Sequence, residues 1–185
     1  MKIASWNVNS LKVRLPQVLD WINLNQPDVL CLQETKQNND NFPHDVFEKR
    51  GLFSYHNGQN TYNGVAIISN KELIDVQFDI PNFYDEQKRL ISGIYPNDED
   101  PKFRVISAYI PNGQSLNSDK FEYKMNWLKS FINFLQTKID GIENIITGDF
   151  NIAPSTLDCY DSKSWDGKIL VSPQEREYFN KLLNL

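Results

Sequence analysis

Seven short β-rich runs, with few helical stripes between them, constrain the fold of this 185-residue chain more than any other feature of its sequence. The runs are Ile3–Val8, Val29–Leu32, Val65–Ser69, Leu73–Phe78, Leu90–Tyr95, Phe103–Ile110 and Asn144–Thr147. Between the first two runs, apolar residues recur at helical spacing from Leu11 to Ile22, which predicts a βαβ unit. No helical stripe interrupts the runs from Leu73 to Ile110, so antiparallel hairpins with loops such as Asn97–Pro101 are predicted there. Together these patterns predict mixed sheets with outer helices.

Two further helices are predicted in the C-terminal half. The first carries one apolar stripe, formed by Phe121, Met125, Leu128, Ile132 and Leu135, and is expected to stop at Asp140-Gly141. The second begins at Ser172-Pro173-Gln174-Glu175, which combines an N-cap serine, a proline at N1 and a glutamate at N3. No glycine or asparagine stop with a polar tail is predicted before Leu185. We therefore expect residues 1–185 to form a single domain that is truncated at its C-terminus.

Composition excludes several classes of protein. No apolar run approaches the roughly 20 residues that a membrane-spanning helix needs, so no membrane association is expected. The two cysteines, Cys31 and Cys159, form neither a disulfide framework nor a zinc-ligand set, which favours a cytoplasmic protein. The net charge of −5 would repel nucleic acid. A polyanionic substrate would therefore require bound cations.

At the C-terminal end of each of four apolar runs stands a polar residue whose side chain can take part in catalysis. These residues are Asn7, Glu34, Tyr109 and Asp149. Rigid strands that end in functional groups build preorganised sites, because strand packing sets the side-chain direction while the following loop stays open to substrate. The pattern therefore predicts one site that contains carboxylates and amides.

The residue types at these ends suit phosphodiester hydrolysis. Magnesium prefers oxygen ligands and takes only one or two protein carboxylates, a need that Glu34 and Asn7 satisfy. Asp149 is suited to accept a proton from water, and the amide of Asn151 is suited to donate to developing negative charge.

Each of these residues also has a plainer interpretation. Gly148 to Asn151 fits an Asx turn, Glu34 fits a solvated strand end paired with Lys36, Asn7 fits a helix cap, and Tyr109 fits a half-buried strand residue. Their joint occurrence favours the catalytic interpretation. The two histidines, His44 and His56, stand in loop-like contexts and are predicted to be surface residues.

Three ordered motifs closely resemble the bacterial exonuclease III type of apurinic/apyrimidinic endonuclease. They run from Ser5 to Leu11 (Ser-Trp-Asn-Val-Asn-Ser-Leu), from Pro27 to Lys36 (ending Leu-Gln-Glu-Thr-Lys) and from Gly148 to Pro154 (Gly-Asp-Phe-Asn-Ile-Ala-Pro). Intervening stretches agree as well, among them Tyr62–Ala66, Arg89–Ile91, Ala108–Gly113 and Ser172–Arg176. The resemblance covers the whole chain, and its second and third motifs are more particular to this branch than to the wider endonuclease/exonuclease/phosphatase superfamily.

The resemblance implies a fold and a set of residue roles. The fold is an α/β four-layer sandwich of two packed mixed sheets flanked by helices. By motif position, Glu34 is the principal metal ligand with Asn7 in support, and Tyr109 is the active-site phenol near the phosphate. Asp149 is the proton donor and acceptor, and Asn151 stabilises the transition state. Expected substrate-binding residues are Arg14, Lys36, Arg89, Asn112 and Lys163.

The resemblance also implies an activity and its partners. A metal-assisted water attacks the phosphodiester 5′ to an abasic site, and 3′-5′ exonuclease and 3′-end repair activities accompany this cleavage. The expected cofactor is Mg²⁺, with Mn²⁺ as the alternative. The expected partner is double-stranded DNA with abasic sites or blocked 3′ ends, bound by a bacterial cytoplasmic enzyme that is a monomer when full length.

Members of this family continue beyond the length of this chain. Their additional part contains a Trp-rich segment, an Asp in an Arg-x-Asp strand motif and a terminal Ser-Asp-His element. None of these occurs before Leu185. We therefore expect the 185-residue chain by itself to be inactive and marginally soluble.

Two other functions remain open at the level of sequence. One is a different metal-dependent phosphodiesterase or phosphatase of the superfamily, acting on phospholipid, inositol phosphate or RNA. The other is a non-catalytic fragment that binds DNA without turnover. The first would prefer small phosphate esters over abasic DNA, and the second would bind DNA without metal.

Overall fold

A computed structural model describes residues 1–96 and 102–185. The loop Asn97–Pro101, where the sequence predicts a hairpin connection, lies outside the described residues. The chain divides into two compact units. The first contains Met1–Tyr109 and Gly141–Asp149, and the second contains Ile110–Asp140 and Phe150–Leu185.

The first unit contains all the strands among the described residues. Its elements are β1 (Ile3–Asn7), α1 (Leu11–Asn25), β2 (Val29–Gln33), α2 (His44–Glu48), β3 (Phe53–Asn57), β4 (Val65–Ser69), β5 (Ile74–Phe78), β6 (Leu90–Tyr95), β7 (Phe103–Tyr109) and β8 (Glu143–Asp149). In the described residues, these strands form two four-stranded sheets with the orders β1-β2-β4-β3 and β5-β6-β7-β8.

Both sheets are mixed, as the sequence predicts. Strands β1 and β2 are parallel and enclose α1, which confirms the βαβ unit. Strands β5, β6 and β7 are antiparallel neighbours, whereas β8 pairs in parallel with β7. The two parallel pairs set the register at the strand ends, where Asn7 lies opposite Gln33 and Tyr109 lies opposite Asp149.

The first sheet is covered on both faces. Side chains of β2 alternate between them: Val29 and Cys31 pack toward the second sheet, and Leu30 and Leu32 pack toward α1 and α2. A strand buried on both faces reads as a continuous apolar run instead of an alternating one. This explains why β2 and β4, whose residues are all buried, stand out so clearly in the sequence.

The second unit contains the remaining helices: α3 (Asp119–Gln136), α4 (Ser162–Trp165) and α5 (Pro173–Leu183). Ser118 caps α3 by accepting from the backbone N–H of Phe121. Ser172 and Glu175 form the predicted capping box of α5. Helices α3 and α5 pack against each other.

Two local predictions differ from the structure. Helix α3 ends at Gln136 and not at Asp140-Gly141, because the Thr137 hydroxyl donates to the Phe134 carbonyl and closes the last turn. Strand β3 has no counterpart among the predicted runs. Its sequence, Phe-Ser-Tyr-His-Asn, is too polar to stand out, and it becomes a strand through its antiparallel ladder with β4.

No helix in the described residues is long and apolar enough to cross a membrane.

Candidate active site

One side-chain amide donates hydrogen bonds to two carboxylates at the strand ends of the first unit. The Asn7 Nδ2 donates to Glu34 Oε1 at 2.9 Å and to Asp149 Oδ2 at 2.8 Å. Asn7 ends β1, Glu34 follows β2, and Asp149 ends β8, so the two parallel strand pairs bring these side chains together. Three of the predicted site residues therefore form one hydrogen-bonded cluster.

The orientation of the Asn7 amide follows from its local backbone. Its Oδ1 accepts from the backbone N–H of Asn9 at 3.0 Å. An asparagine amide offers two N–H donors, and here they go to the two carboxylates. In this arrangement Asn7 holds Glu34 and Asp149 beside each other, while its oxygen serves the following turn.

The backbone around Glu34 is held from both sides. The Glu34 carbonyl accepts from the N–H of Ser10 at 2.7 Å, and the next two N–H groups donate to Gly64 and Asn63. Glu34 and Lys36 both have a φ of +53°, a left-handed conformation that costs a non-glycine residue about 1–2 kcal/mol. Such strain persists where surrounding contacts impose it, as they do at many functional sites.

The carboxyl of Glu34 is stabilised in its ionised form. Partial burial is the largest single influence and raises its pKa, but hydrogen bonds from Asn7, Lys36 and Tyr109 outweigh burial. The net effect is a pKa below the ordinary value for glutamate. The Lys36 Nζ lies 3.0 Å from Glu34 Oε2 and also donates to Asn9 Oδ1. Glu34 is therefore an anion over the whole neutral range.

Tyr109 contacts the same carboxylate through its phenol. Burial, and then the negative charge of Glu34, raise the pKa of Tyr109 to about 12, so the phenol stays protonated and donates to Glu34. The guanidinium of Arg89 stacks over the Tyr109 ring at 4.7 Å and donates to the Tyr109 carbonyl at 3.1 Å. Arg89 itself is buried, and it donates to Gln87 Oε1 at 2.6 Å. Arg89 therefore orients Tyr109 in this structure.

Hydrogen bonds of Gln33, the residue before Glu34, join the two sheets next to this cluster. The buried Gln33 side chain donates to Ser107 Oγ at 3.1 Å and to Ser5 Oγ at 3.2 Å, which links β2 to β7 and to β1. Buried amides need such partners, and a network whose members are satisfied is rigid. Sequence reasoning did not assign a role to Gln33, although it stands in the same motif as Glu34.

Two of the predicted residues that belong to the second unit, Asn112 and Asn151, contact each other. Asn151 follows Asp149 closely in sequence and has a φ of +48°. Its Nδ2 donates to the Ile110 carbonyl at 3.0 Å, and its Oδ1 accepts from Asn112 Nδ2 at 3.2 Å. Asn112 and Asn151 are therefore brought together, and each restricts the orientation of the other.

Of the predicted phosphate contacts, Arg14 is not brought into the cluster, and Lys163 belongs to the second unit. Arg14 is exposed on the first turn of α1, and Lys163 is exposed on α4. In the ranges 1–96 and 102–185, the Arg14 side chain forms no hydrogen bond or ion pair with the residues of the cluster. Their roles stay predictions.

The prediction that His56 lies on the surface is wrong. His56 is only 5% exposed, its ring stacks on Phe42 at 4.1 Å, and its Nε2 shares a 2.8 Å hydrogen bond with Thr35 Oγ1. The histidine lies on β3, the strand that the sequence patterns did not reveal. His44 is exposed, as predicted.

The burial of His56 predicts an acid-sensitive fold. Burial, and then repulsion from His44, lower the pKa of His56 to about 3. The unfolded chain binds this proton near pH 6.5 while the folded chain does not, so the stabilising contribution of the neutral ring is lost as the pH falls below about 6.5. We expect this group to remove about 2 kcal/mol of unfolding free energy between pH 7 and pH 5.

Urea unfolding at both pH values, for the parent chain and for His56→Gln, measures this loss. The variant keeps a polar side chain for Thr35 and removes the titration. Its loss between pH 7 and pH 5 should be smaller by about 2 kcal/mol. Equal losses in the two proteins would show that His56 is not the acid-sensitive group.

The donor set of the cluster fits a hard cation. In the described part of the chain, no group of three or more His, Cys, Asp or Glu side chains could hold a metal ion. Mg²⁺ does not require one, because it uses one or two carboxylates and completes its shell with water and substrate phosphate. Glu34 and Asp149 supply two carboxylates in a hydrogen-bonded arrangement. The residues therefore suit Mg²⁺ and not Zn²⁺, which prefers histidine and cysteine.

The sequence is similar to known proteins over nearly its whole length. Residues 4–176 match the Endonuclease/Exonuclease/phosphatase family. The exodeoxyribonuclease III of Haemophilus influenzae is 34% identical over 194 aligned residues, which cover 98% of this chain and 71% of that protein.

The structure is similar to two solved structures. The 3′ phosphatase NExo from Neisseria, bound to a product DNA hairpin, superposes with a TM-score of 0.94 at 42% identity, over 100% of this chain and 70% of that one. An AP endonuclease from Archaeoglobus fulgidus gives a TM-score of 0.92 at 33% identity, again over 100% of this chain and 70% of that one. This likeness confirms the predicted fold class of two mixed sheets with helices.

Proposed function

The chain belongs to the endonuclease/exonuclease/phosphatase family and is a DNA-repair nuclease, and on that premise we propose that it hydrolyses the phosphodiester bond 5′ to abasic sites and trims 3′ ends. The observation that carries this proposal is the cluster of the first unit. One amide, Asn7, holds two carboxylates, and the protonated phenol of Tyr109 donates to one of them. This arrangement provides a proton acceptor and a cation ligand beside a hydrogen-bond donor.

The chain's own residues take separate roles in the proposed reaction. Asp149 accepts the proton of the attacking water and, as the P–O bond to the 3′ oxygen breaks, donates a proton to that leaving oxygen. Tyr109 stays protonated at neutral pH and is the active-site phenol near the phosphate. Asn151 donates from its amide to the charge that develops on the phosphate oxygens. The residues proposed to contact substrate are Arg14, Lys36, Arg89, Asn112 and Lys163.

The proposed cofactor is Mg²⁺, held by the Glu34 carboxylate with Asn7 in support. The lowered pKa of Glu34 keeps this ligand ionised. When bound, the cation would supply positive charge to a phosphate that a chain of net charge −5 would otherwise repel. Mn²⁺ accepts the same oxygen ligands and is the proposed substitute.

The proposed substrate is duplex DNA with abasic sites or blocked 3′ ends. The names of the relatives, a 3′ phosphatase and an AP endonuclease, support both types of lesion. An abasic nucleotide has lost its base pair and much of its stacking, so it leaves the duplex at a lower energetic cost than an intact one. This difference favours damaged over intact DNA.

Cleavage of an end-labelled duplex that contains one abasic analogue tests the proposal. Mg²⁺-dependent cutting on the 5′ side of the lesion, abolished by EDTA, is the expected result for the natural protein that carries this sequence, whereas residues 1–185 alone are expected not to cut. Two controls address the competing functions: a small phosphate ester as substrate, and a binding assay without metal. Preference for the small ester would identify a different phosphodiesterase, and binding without any cutting would identify a DNA-binding protein.

Glu34→Gln should weaken metal binding. The substitution preserves the shape of the side chain but removes the charge that attracts the cation, and we expect Mn²⁺ affinity to fall by about 10-fold or more. Electron paramagnetic resonance of free Mn²⁺ measures the affinity without any need for activity. The matched control is Glu48→Gln, an exposed glutamate of α2. Equal Mn²⁺ affinities in the two variants would show that Glu34 is not a metal ligand.

A further inference from the structure

A lysine is completely buried in helix α3 of the second unit. Lys124 has no exposed surface, although it stands among the apolar residues Met125, Trp127 and Leu128. Its Nζ donates to the carbonyl of Asn151 at 2.7 Å and to the carbonyl of Asn112 at 3.3 Å. A single ammonium therefore holds the backbone of both asparagines.

The charge of this lysine is balanced by a carboxylate that is equally buried. Glu175 Oε1 lies 2.5 Å from the Lys124 Nζ, and both side chains have zero exposure. The other oxygen of Glu175 accepts from Ser172 at the N-cap of α5, from the backbone N–H at 3.1 Å and from the hydroxyl at 2.7 Å. The ion pair therefore connects the start of α5 to the backbone at Asn151.

Stability alone is a poor explanation for such a pair. The desolvation of two charges offsets much of their attraction, and well-packed neutral residues often replace buried ion pairs without loss of stability. What an apolar pair cannot replace is the directional donation from one side chain to two carbonyls. The arrangement therefore points to placement of the groups that Lys124 contacts.

We propose that Lys124 and Glu175 are positioning residues that fix the side-chain amide of Asn151. The backbone contact sets where Asn151 lies and supports its φ of +48°. Asn112, held by the same ammonium, then fixes the amide orientation through its bond to Asn151 Oδ1. This inference rests on the proposed function only in that the fixed amide is the one that would donate to the developing charge on phosphate.

Nuclear magnetic resonance of the side-chain amides tests the placement without any need for activity. In the parent chain, the Asn151 amide protons should exchange with water at least about 10-fold more slowly than those of Asn126, an exposed asparagine of α3. Equal exchange at the two residues would overturn the proposal. This measurement requires no variant.

A neutral replacement of the pair provides the second comparison. In K124M/E175Q neither charge is left unpaired, and the glutamine can still accept from Ser172. We expect the Asn151 amide signals to move toward those of Asn126, with exchange faster by about 10-fold, while the remaining spectrum stays folded. Lys129→Met, which removes an exposed lysine of the same helix, should leave Asn151 unchanged. An unchanged Asn151 in the folded double variant would overturn the proposal.

Kinetics separates positioning from general damage to the fold. K124M/E175Q should lower kcat for abasic-site cleavage by about 10- to 100-fold with little change in KM. In an Asn151→Ala background the same two substitutions should change kcat by less than about twofold, because the group they position is gone. If K124M/E175Q lowers kcat by the same factor in the parent and in the Asn151→Ala background, the proposal is overturned. The kinetics are measured in the natural protein that carries this sequence. If that protein cuts no DNA, the proposed function is refuted and the amide measurements decide the positioning role.

Discussion

Asp149→Asn should lower the rate of abasic-site cleavage by about a thousandfold or more, without unfolding the protein. The carboxylate ends β8 and accepts from Asn7 Nδ2 at 2.8 Å. An asparagine has the same shape, and its oxygen can keep that hydrogen bond, so the cluster should survive. It cannot accept a proton from water at neutral pH, so the proposed acceptor is lost. Single-turnover cleavage at saturating Mg²⁺ measures the chemical step directly.

The control for this experiment is Asp20→Asn, which removes the charge of an exposed aspartate on α1. Its rate should equal that of the parent. If Asp149→Asn stays within about tenfold of the parent, the proton acceptor lies elsewhere in the protein.

Gly148→Ala should destabilise the first unit by about 3 kcal/mol or more, which is a large fraction of the stability of a typical domain. A Cβ at this position would lie 1.9 Å from the carbonyl oxygen of Ala108, its partner on β7. The obstacle is backbone in a paired strand, so it cannot move aside without breaking the ladder. The φ of +146° adds further strain for any residue with a side chain.

Urea denaturation compares this variant with Gly141→Ala. Gly141 also has a positive φ, of +84°, but no atom lies within 4 Å of where its Cβ would be. The control therefore isolates the conformational cost, which we expect to be about 1 kcal/mol. Similar losses of stability in the two variants would show that the close approach of β8 to β7 is not what requires glycine at position 148.

The close approach at Gly148 also illustrates what sequence patterns detect. The third motif of the chain places a glycine directly before Asp149, and the structure gives the reason: β7 and β8 approach closely where Ala108 pairs with Gly148. The next pair along the ladder is Tyr109 and Asp149, two of the predicted site residues. A substitution that separates these strands would therefore also move the site.

Strands buried on both faces were predicted well. The predicted bounds Val65–Ser69 and Leu90–Tyr95 agree with β4 and β6. A strand that is fully buried has a continuous apolar run in its sequence, and such a run is easy to recognise. Strand β3 was missed because its sequence mixes polar and apolar side chains without a strand-like pattern. It is a strand because it pairs with β4, and this pairing compensates for its weak local preference for β structure. The buried His56 was assigned to the surface for the same reason.

By itself, the sequence determined seven of the eight described strands and the three longest helices, which residues stand at the strand ends, and which family the motifs indicate. These properties depend on patterns within one segment, where burial and backbone preference act on neighbouring residues. Only the tertiary structure decided that Asn7 donates to Asp149, 142 residues away, and that Lys124 is buried against Glu175 and Asn151. Such contacts depend on which strands pair and in which register, and no local pattern encodes the distance between two side chains that meet only after folding.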